Sequence, residues 1–160
     1  MVPVVKGSGI LILTLTAVYY SWYGQQWENK KHRTMKALYE MFLYIQKSIE
    51  CYAMPLGEIF RNSSNPVLEE TEFLPYWKRG ELKDAVNTLK GLTPAVESAL
   101  LHYAENAGSG YKDAELQLCH NVIAELETAL NSQSEMIKNK NKLYRTMPFL
   151  FVLSVVLLFA

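Results

Sequence analysis

Histidine and cysteine are the side chains in this sequence best suited to bind a metal ion. The histidines are His32, His102 and His120, and no two of them have the i, i+4 spacing that places two ligands on one face of a helix. Cys119 and His120 are adjacent, so on a helix their side chains point about 100° apart. The sequence therefore favours buried or surface histidines over a metal site.

Catalytic patterns are also missing from the sequence. Glu125 and Glu127 are two residues apart and face different directions on a helix, which argues against a pair of acid-base carboxylates. The chain contains no GxxxxGK[ST] phosphate loop and no GxSxG nucleophile turn. Lys plus Arg and Asp plus Glu are equal at 16 each, so no global basic field attracts nucleic acid. We predict a non-enzymatic protein without a cofactor and without a nucleic-acid partner.

One polar loop, residues 108–113, is a candidate interaction site. The simpler interpretation is a turn between helices, in which glycines adopt positive φ and Asp113 caps the following helix. In the functional interpretation, Lys112, Asp113 and Gln117 project from the tip of a helical bundle toward a protein partner. Gln117 lies four residues after Asp113, so the two side chains share a face and could hydrogen bond. Both interpretations remain open at this stage.

Two long helices flank the shorter elements that lead to this loop. Residues 27–52 have an apolar stripe at alternating spacings of three and four, which predicts an amphipathic helix. A second stripe predicts a long helix from Asp113 onward, with one polar gap at Gln133. Shorter helices are predicted at 55–61, 67–78 (kinked or ended by Pro75), 81–90 and 94–107, the last with Thr93 as N-cap. The two stripes consist of Met35, Leu38, Phe42, Ile45, Ile49 and Tyr52, and of Leu116, Cys119, Ile123, Leu126, Leu130 and Ile137.

Both termini are apolar and uncharged over residues 7–23 and 148–160. Basic residues follow the first apolar segment and precede the second, and aromatic rings cluster where the first segment ends. Basic flanks stay on the cytoplasmic side of a membrane, and aromatic rings settle at the headgroup level. The predicted membrane-interface residues are Trp22, Tyr23, Trp27, Lys30, Lys31, Arg33, Lys140, Lys142 and Arg145.

The predicted fold class is therefore all-α: a membrane-anchored helical bundle with a terminal transmembrane helix at each end. We expect a transmembrane segment at 1–25, a cytoplasmic bundle at 26–146 and a short transmembrane segment at 147–160. The last segment is shorter than the roughly 20 residues that cross a bilayer, so a re-entrant or interfacial helix is an alternative. Cys51 and Cys119 lack CxxC spacing and are predicted to be buried structural thiols.

The stretch GYKDAELQ at residues 110–117 resembles a known family signature. Gly110, Asp113 and Gln117 match the G-x-x-D-x-x-x-Q pattern of the stage III sporulation protein AB family, at the head of a long helix. The amino-terminal apolar segment, the Pro-Leu pair at 55–56 and KLYRT at 142–146 before the terminal apolar tail occur in the same order. The resemblance extends over essentially the whole chain.

This resemblance implies a non-enzymatic platform protein, similar to the cytoplasmic domains of type II secretion platform proteins. It would lie on the mother-cell side of the outer forespore membrane, with its bundle in the cytoplasm. Its implied partners are the bilayer and other membrane proteins of the mother cell to forespore channel, including a secretion-type ATPase and ring-forming subunits. Homo-oligomerisation stays open. The alternative function is a membrane-anchored helical-bundle ligand sensor.

Overall fold

The protein was characterised as a computed structural model that describes the backbone of residues 2–52 and 54–159. Side chains are described at 19, 23, 26–52, 54–136 and 139. Seven helices and no strand occur within these backbone ranges, which confirms the predicted all-α class. In chain order they are α1 (Val2–Tyr52), α2 (Leu56–Asn62), α3 (Pro66–Glu69), α4 (Phe73–Arg79), α5 (Leu82–Thr88), α6 (Pro94–Asn106) and α7 (Lys112–Phe159).

The two long helices, α1 and α7, pack against each other in antiparallel orientation. The start of α7 lies at the end of α1, since Lys112 donates a hydrogen bond from Nζ to the backbone oxygen of Glu50 at 2.8 Å. The predicted stripe on α1 is buried from Met35 to Ile49, but Tyr52 is exposed, so the stripe ends one turn earlier than predicted. The opposing stripe on α7 buries Cys119, Ile123 and Leu126.

The polar gap predicted in the α7 stripe is not a solvent-facing position. Gln133 is buried, and its Oε1 atom has no hydrogen-bond partner among the described residues. Leu116 and Leu130 of the same stripe are only partly buried and pack at the edge of the core. The antiparallel pair therefore buries a polar side chain where the heptad pattern alone suggests an interruption.

The segment between the long helices differs from the prediction at its prolines. The single helix expected over 67–78 is two helices, α3 and α4, because the chain turns at 70–72. Pro75 is the third residue of α4 and neither kinks nor ends it, since backbone N–H groups in the first turn have no intrahelical acceptor. Thr93 precedes Pro94 at the start of α6 as predicted, but its side chain forms no capping hydrogen bond.

The long helices run without a break through the expected domain limits. Residues 25 and 26 both lie within α1, and residues 146 and 147 both lie within α7, which continues past Pro148. Most side chains of the predicted transmembrane segments lie outside the described residues. Among the residues that are described, no helix has a stretch both apolar enough and long enough to cross a bilayer.

Aromatic rings from four helices form the centre of the core. Trp77 of α4 is fully buried and lies against Phe42 of α1, Phe60 of α2, Phe73 of its own helix and Tyr103 of α6, with ring centroids 4.9 to 6.1 Å apart. Phe42 also contacts Tyr103 edge to face, at 4.9 Å and 82°. Such pairs each contribute about 0.5–1.5 kcal/mol beyond the area they bury. This cluster packs α2, α4 and α6 against α1.

Replacing Phe42 by alanine should lower the free energy of unfolding by about 3–5 kcal/mol, because a buried ring is lost and a cavity remains. Tyr44 is exposed on the same helix, so Tyr44→Ala should change it by no more than about 0.5 kcal/mol. Urea denaturation of the full chain in detergent, followed by circular dichroism, measures both values. Equal losses in the two variants would exclude Phe42 as a core contact between α1, α4 and α6.

Candidate interaction site

The turn between α6 and α7 forms the end of the bundle at which α1 also finishes. Gly108 has a φ of +81°, as expected of a glycine in a turn between helices. Gly110 does not have positive φ, so that part of the prediction is wrong. Gly110 is instead required by proximity, because a Cβ atom at this position would lie 2.8 Å from Cβ of Ala114.

Lys112 links the turn to α1. Its Nζ atom donates to the backbone oxygen of Glu50, one of the last carbonyls of α1 and so without a partner within the helix. A cation at this position also interacts favourably with the negative end of the helix dipole. Lys112 therefore holds two elements of the tip together, and its ammonium group already has an acceptor.

Asp113 and Gln117 are both exposed, but neither has the predicted partner. Helix α7 begins at Lys112, so Asp113 lies in the first turn and the prediction that it is the N-cap is wrong. A carboxylate in the first turn still interacts favourably with the helix dipole. Gln117 donates from Nε2 to Oδ1 of Asn121 at 3.1 Å, and thus bonds to the next turn of α7 instead of to Asp113.

Glu115 orders the turn and was not among the predicted site residues. Its side chain is buried, and Oε1 accepts a hydrogen bond from the backbone N–H of Gly108 at 2.6 Å. Because the acceptor lies seven residues after the donor, the carboxylate closes the whole turn. The sequence signal was a glutamate in the first turn of α7 that points toward the core, since it lies four residues before the buried Cys119.

Glu115, Cys119 and Tyr103 form a buried polar cluster below the turn. Burial raises the pKa of the Tyr103 hydroxyl well above its usual range, and the nearby Cys119 thiol and Glu115 carboxylate raise it further. Burial also raises the pKa of Cys119, to about 12, although its interaction with Tyr103 acts in the opposite direction. Oε2 of Glu115 has no hydrogen-bond partner in the described structure, whereas the Tyr103 hydroxyl interacts with the Cys119 thiol. Both phenol and thiol therefore stay protonated at neutral pH.

The two cysteines have different environments. Cys119 is buried as predicted, whereas Cys51 is exposed near the end of α1, so the prediction of a buried thiol there is wrong. Neither takes part in a disulfide. Among the described side chains, no three His, Cys, Asp or Glu residues are close enough together to hold a metal ion.

The predicted membrane-interface residues are only partly described. Tyr23, Trp27, Lys30 and Arg33 are exposed along α1, and Lys31 is partly buried. The side chains of Trp22, Lys140, Lys142 and Arg145 lie outside the described residues. Exposure of aromatic and basic side chains on one helix is compatible with an interfacial position, which stays a prediction.

Comparison of the chain with protein-family models, curated proteins and solved structures yields no match.

Folding stability should decrease above pH 9, because the unfolded Cys119 thiol loses its proton near its ordinary pKa of 9.0 while the folded thiol keeps it until about pH 12. The stability that the protonated Cys119 thiol contributes to the folded state is complete below pH 9 and is lost as the pH rises toward 12. Cys119→Ala should therefore show a shallower alkaline decline in melting temperature than the parent, measured from pH 8 to 11. Cys51→Ala, at an exposed position, should keep the parent profile. A Cys119→Ala profile as steep as the parent's would exclude a contribution from this thiol.

Proposed function

We propose that this protein is a non-enzymatic, membrane-anchored scaffold of the mother cell to forespore channel. The observation that carries the proposal is the antiparallel packing of α1 and α7. Because these helices run in opposite directions, the amino-terminal part of α1 and the carboxy-terminal part of α7 extend from the same end of the bundle. Two apolar chain ends at one end of a bundle suit attachment to one bilayer.

Basic residues support a cytoplasmic bundle. Lys30, Lys31 and Arg33 follow the first apolar segment within α1, and Lys140, Lys142 and Arg145 precede the second within α7. A bundle with these flanks is retained on the cytoplasmic side, where each basic residue near an anionic leaflet contributes about 1 kcal/mol. The turn at residues 107–111 would then point away from the membrane.

This turn is suited to protein contacts. Tyr111 is 91% exposed and Tyr52 is 69% exposed, and they adjoin Lys112 and Glu50, whose hydrogen bond joins α7 to α1. Exposed tyrosines on an ordered surface are typical of binding sites, because they add contact area at low entropic cost. We infer that these tyrosines, together with Asp113 and Gln117, contact a secretion-type ATPase or a neighbouring subunit of the channel.

The assignment to the sporulation channel rests on the resemblance at residues 110–117. Two of its three signature residues have local roles that suit an ordered tip: Gly110 permits close approach to Ala114, and Asp113 lies in the first turn of α7. The proposed location is the mother-cell side of the outer forespore membrane, with ring-forming membrane proteins as further partners.

Topology can be tested with a Ser109→Cys variant in a chain that also carries Cys51→Ser and Cys119→Ala. Ser109 is exposed in the turn, so a membrane-impermeant thiol reagent should reach it as soon as the reagent enters its compartment. For a cytoplasmic bundle we expect labelling only after lysis. The measurement is the labelled fraction in intact and in lysed cells.

The matched control for topology places the cysteine at Val2 in the same background, on the opposite side of the proposed membrane segment. Both variants are expressed in non-sporulating cells, where the chain would insert into the plasma membrane, and the Val2 variant should then be labelled before lysis. Labelling of Ser109→Cys in intact cells would invert the topology, contradict the scaffold proposal and favour the ligand sensor.

Docking at the tip can be tested with Tyr52→Ser combined with Tyr111→Ser. Loss of two exposed rings should leave the melting temperature unchanged while abolishing co-purification of the channel ATPase with the full chain. Tyr44→Ser, exposed on the side of α1, is the control and should retain the ATPase. Retention of the ATPase by the double variant would show that the tip is not its docking site.

A further inference from the structure

A groove of about 390 Å³ opens at the end of the bundle opposite the turn at residues 107–111. Its volume falls within the range of small-molecule sites. Three segments form its walls: one face of α1, the connection between α3 and α4, and the end of α5. The lining residues are Trp27, Lys30, Lys31, Thr34, Glu70, Thr71, Glu72, Thr88, Leu89 and Lys90.

Gly91 lies beside the lysine side of the groove, next to α1. Gly91 has a φ of +80°, and a Cβ atom added there would make ordinary van der Waals contacts with α1, 3.7 Å from Cζ2 of Trp27 and 3.9 Å from Cδ of Lys31. The loop thus packs on the Trp27 ring and on the aliphatic part of Lys31. Lys90, the residue before this glycine, also lines the groove, so lysines from two segments line it together.

The charged residues of the groove do not neutralise one another in the described structure. The ion pairs in the described structure are Lys36 with Glu40, Arg79 with Glu81, and Lys83 with Glu105. None of them includes a residue that lines the groove. Three lysines and two glutamates therefore line one concave surface without internal ion pairs. A ligand that carries both a cationic and an anionic group is complementary to this surface.

The threonines of the groove add acceptors, not donors. Thr34, Thr71 and Thr88 each donate their hydroxyl hydrogen to a backbone oxygen of their own segment, at 3.1, 2.7 and 2.7 Å. The hydrogens are thus used locally. Oγ1 of Thr71 also accepts from the backbone N–H of Phe73 at 3.3 Å and keeps one lone pair, while the oxygens of Thr34 and Thr88 keep both for a donor. Together with the carboxylates of Glu70 and Glu72, these oxygens suit an ammonium group, which has three N–H donors and no acceptor.

We propose that this groove binds the phosphoethanolamine headgroup of a membrane lipid. Lys30, Lys31 and Lys90 supply donors for the phosphodiester, and the carboxylates and threonine oxygens accept from the primary ammonium. Trp27, which is 53% exposed, offers an aromatic surface to the ethanolamine methylenes and to the cation. An anionic glycerol headgroup would offer no cation to Glu70 and Glu72. The lipid as the source rests on the proposed membrane anchoring, whereas the chemistry of the groove does not.

Calorimetric titration of the detergent-purified full chain tests this proposal. The probes are glycerophosphoethanolamine, glycerophosphoglycerol, inorganic phosphate and dihexanoyl phosphatidylethanolamine. We expect saturable binding of the two ethanolamine compounds, with the dihexanoyl lipid the tighter, and at least about ten-fold weaker binding of the two anions, equivalent to about 1.4 kcal/mol.

Paired variants separate the two halves of the groove. Lys31→Gln with Lys90→Gln should weaken glycerophosphoethanolamine about ten-fold or more through loss of charge-assisted hydrogen bonds. Glu70→Gln with Glu72→Gln should weaken it too, yet strengthen phosphate. Lys47→Gln with Glu97→Gln, exposed positions outside the groove, is the control and should match the parent.

Equal affinity for phosphate and glycerophosphoethanolamine, unchanged by the glutamate variant, would overturn the proposal in favour of a simple anion site. Absence of saturable binding by all four probes would overturn it entirely. Binding of the soluble headgroup without binding of the dihexanoyl lipid would overturn the membrane source. Each of these results can be distinguished from failure of the topology, which the thiol labelling measures independently.

Discussion

The antiparallel contact between α1 and α7 is the constraint on which the rest of this structure depends. It brings the end of α1 to the start of α7, where the ammonium group of Lys112 donates a hydrogen bond to the backbone carbonyl of Glu50 in the last turn of α1. It also sets the width of the space that the connecting segment must fill. The short helices α2 to α5 are too brief to be stable alone, since isolated helices below about 12 residues are marginal in water. They depend on packing against this pair.

The aromatic cluster around Trp77 shows how that packing is achieved. Rings from α1, α2, α4 and α6 meet at one indole, so a single side chain connects elements that are distant in sequence. The indole N–H is buried without a hydrogen-bond partner in the described structure. Burial of large aromatic area outweighs this unsatisfied donor, because an unmade hydrogen bond costs about 1–3 kcal/mol while each ring contributes both burial and edge contacts.

Local sequence rules predicted the helices well, and tertiary contacts less well. The class, the two long stripes and the start of α6 at Pro94 follow from periodicity and proline chemistry. The stripe could not reveal that Tyr52 is exposed or that Gln133 is buried, because both depend on which parts of α1 and α7 lie side by side. The prediction that Pro75 kinks or ends a helix is wrong because the helix is already interrupted at 70–72, which places Pro75 in the first turn of α4.

The candidate sites also combine features that local sequence predicts with features that depend on tertiary contacts. Gly108 and the position of the turn were predictable from composition, since glycines punctuate helices. The link from Lys112 to Glu50 spans 62 residues and the groove joins three separate segments, so neither has a local signal. Of the residues that were not predicted, Glu115 was the easiest to predict from the sequence, because its spacing from Cys119 puts it on the core face. Its hydrogen bond to Gly108 still required the folded turn.

Because α1 is one continuous helix, the number of residues between its apolar segment and the bundle affects how the bundle is oriented. Each residue of an α-helix advances it by about 1.5 Å and turns it by about 100°. For a bundle held by its apolar amino-terminal segment, one residue inserted between Tyr23 and Trp27 would rotate the entire bundle by that angle about the anchor. The groove and the turn at residues 107–111 would then face different neighbours without any contact inside the bundle having changed. In a bundle anchored in this way, the number of residues along this stretch, more than their identity, would set the direction in which the bundle faces.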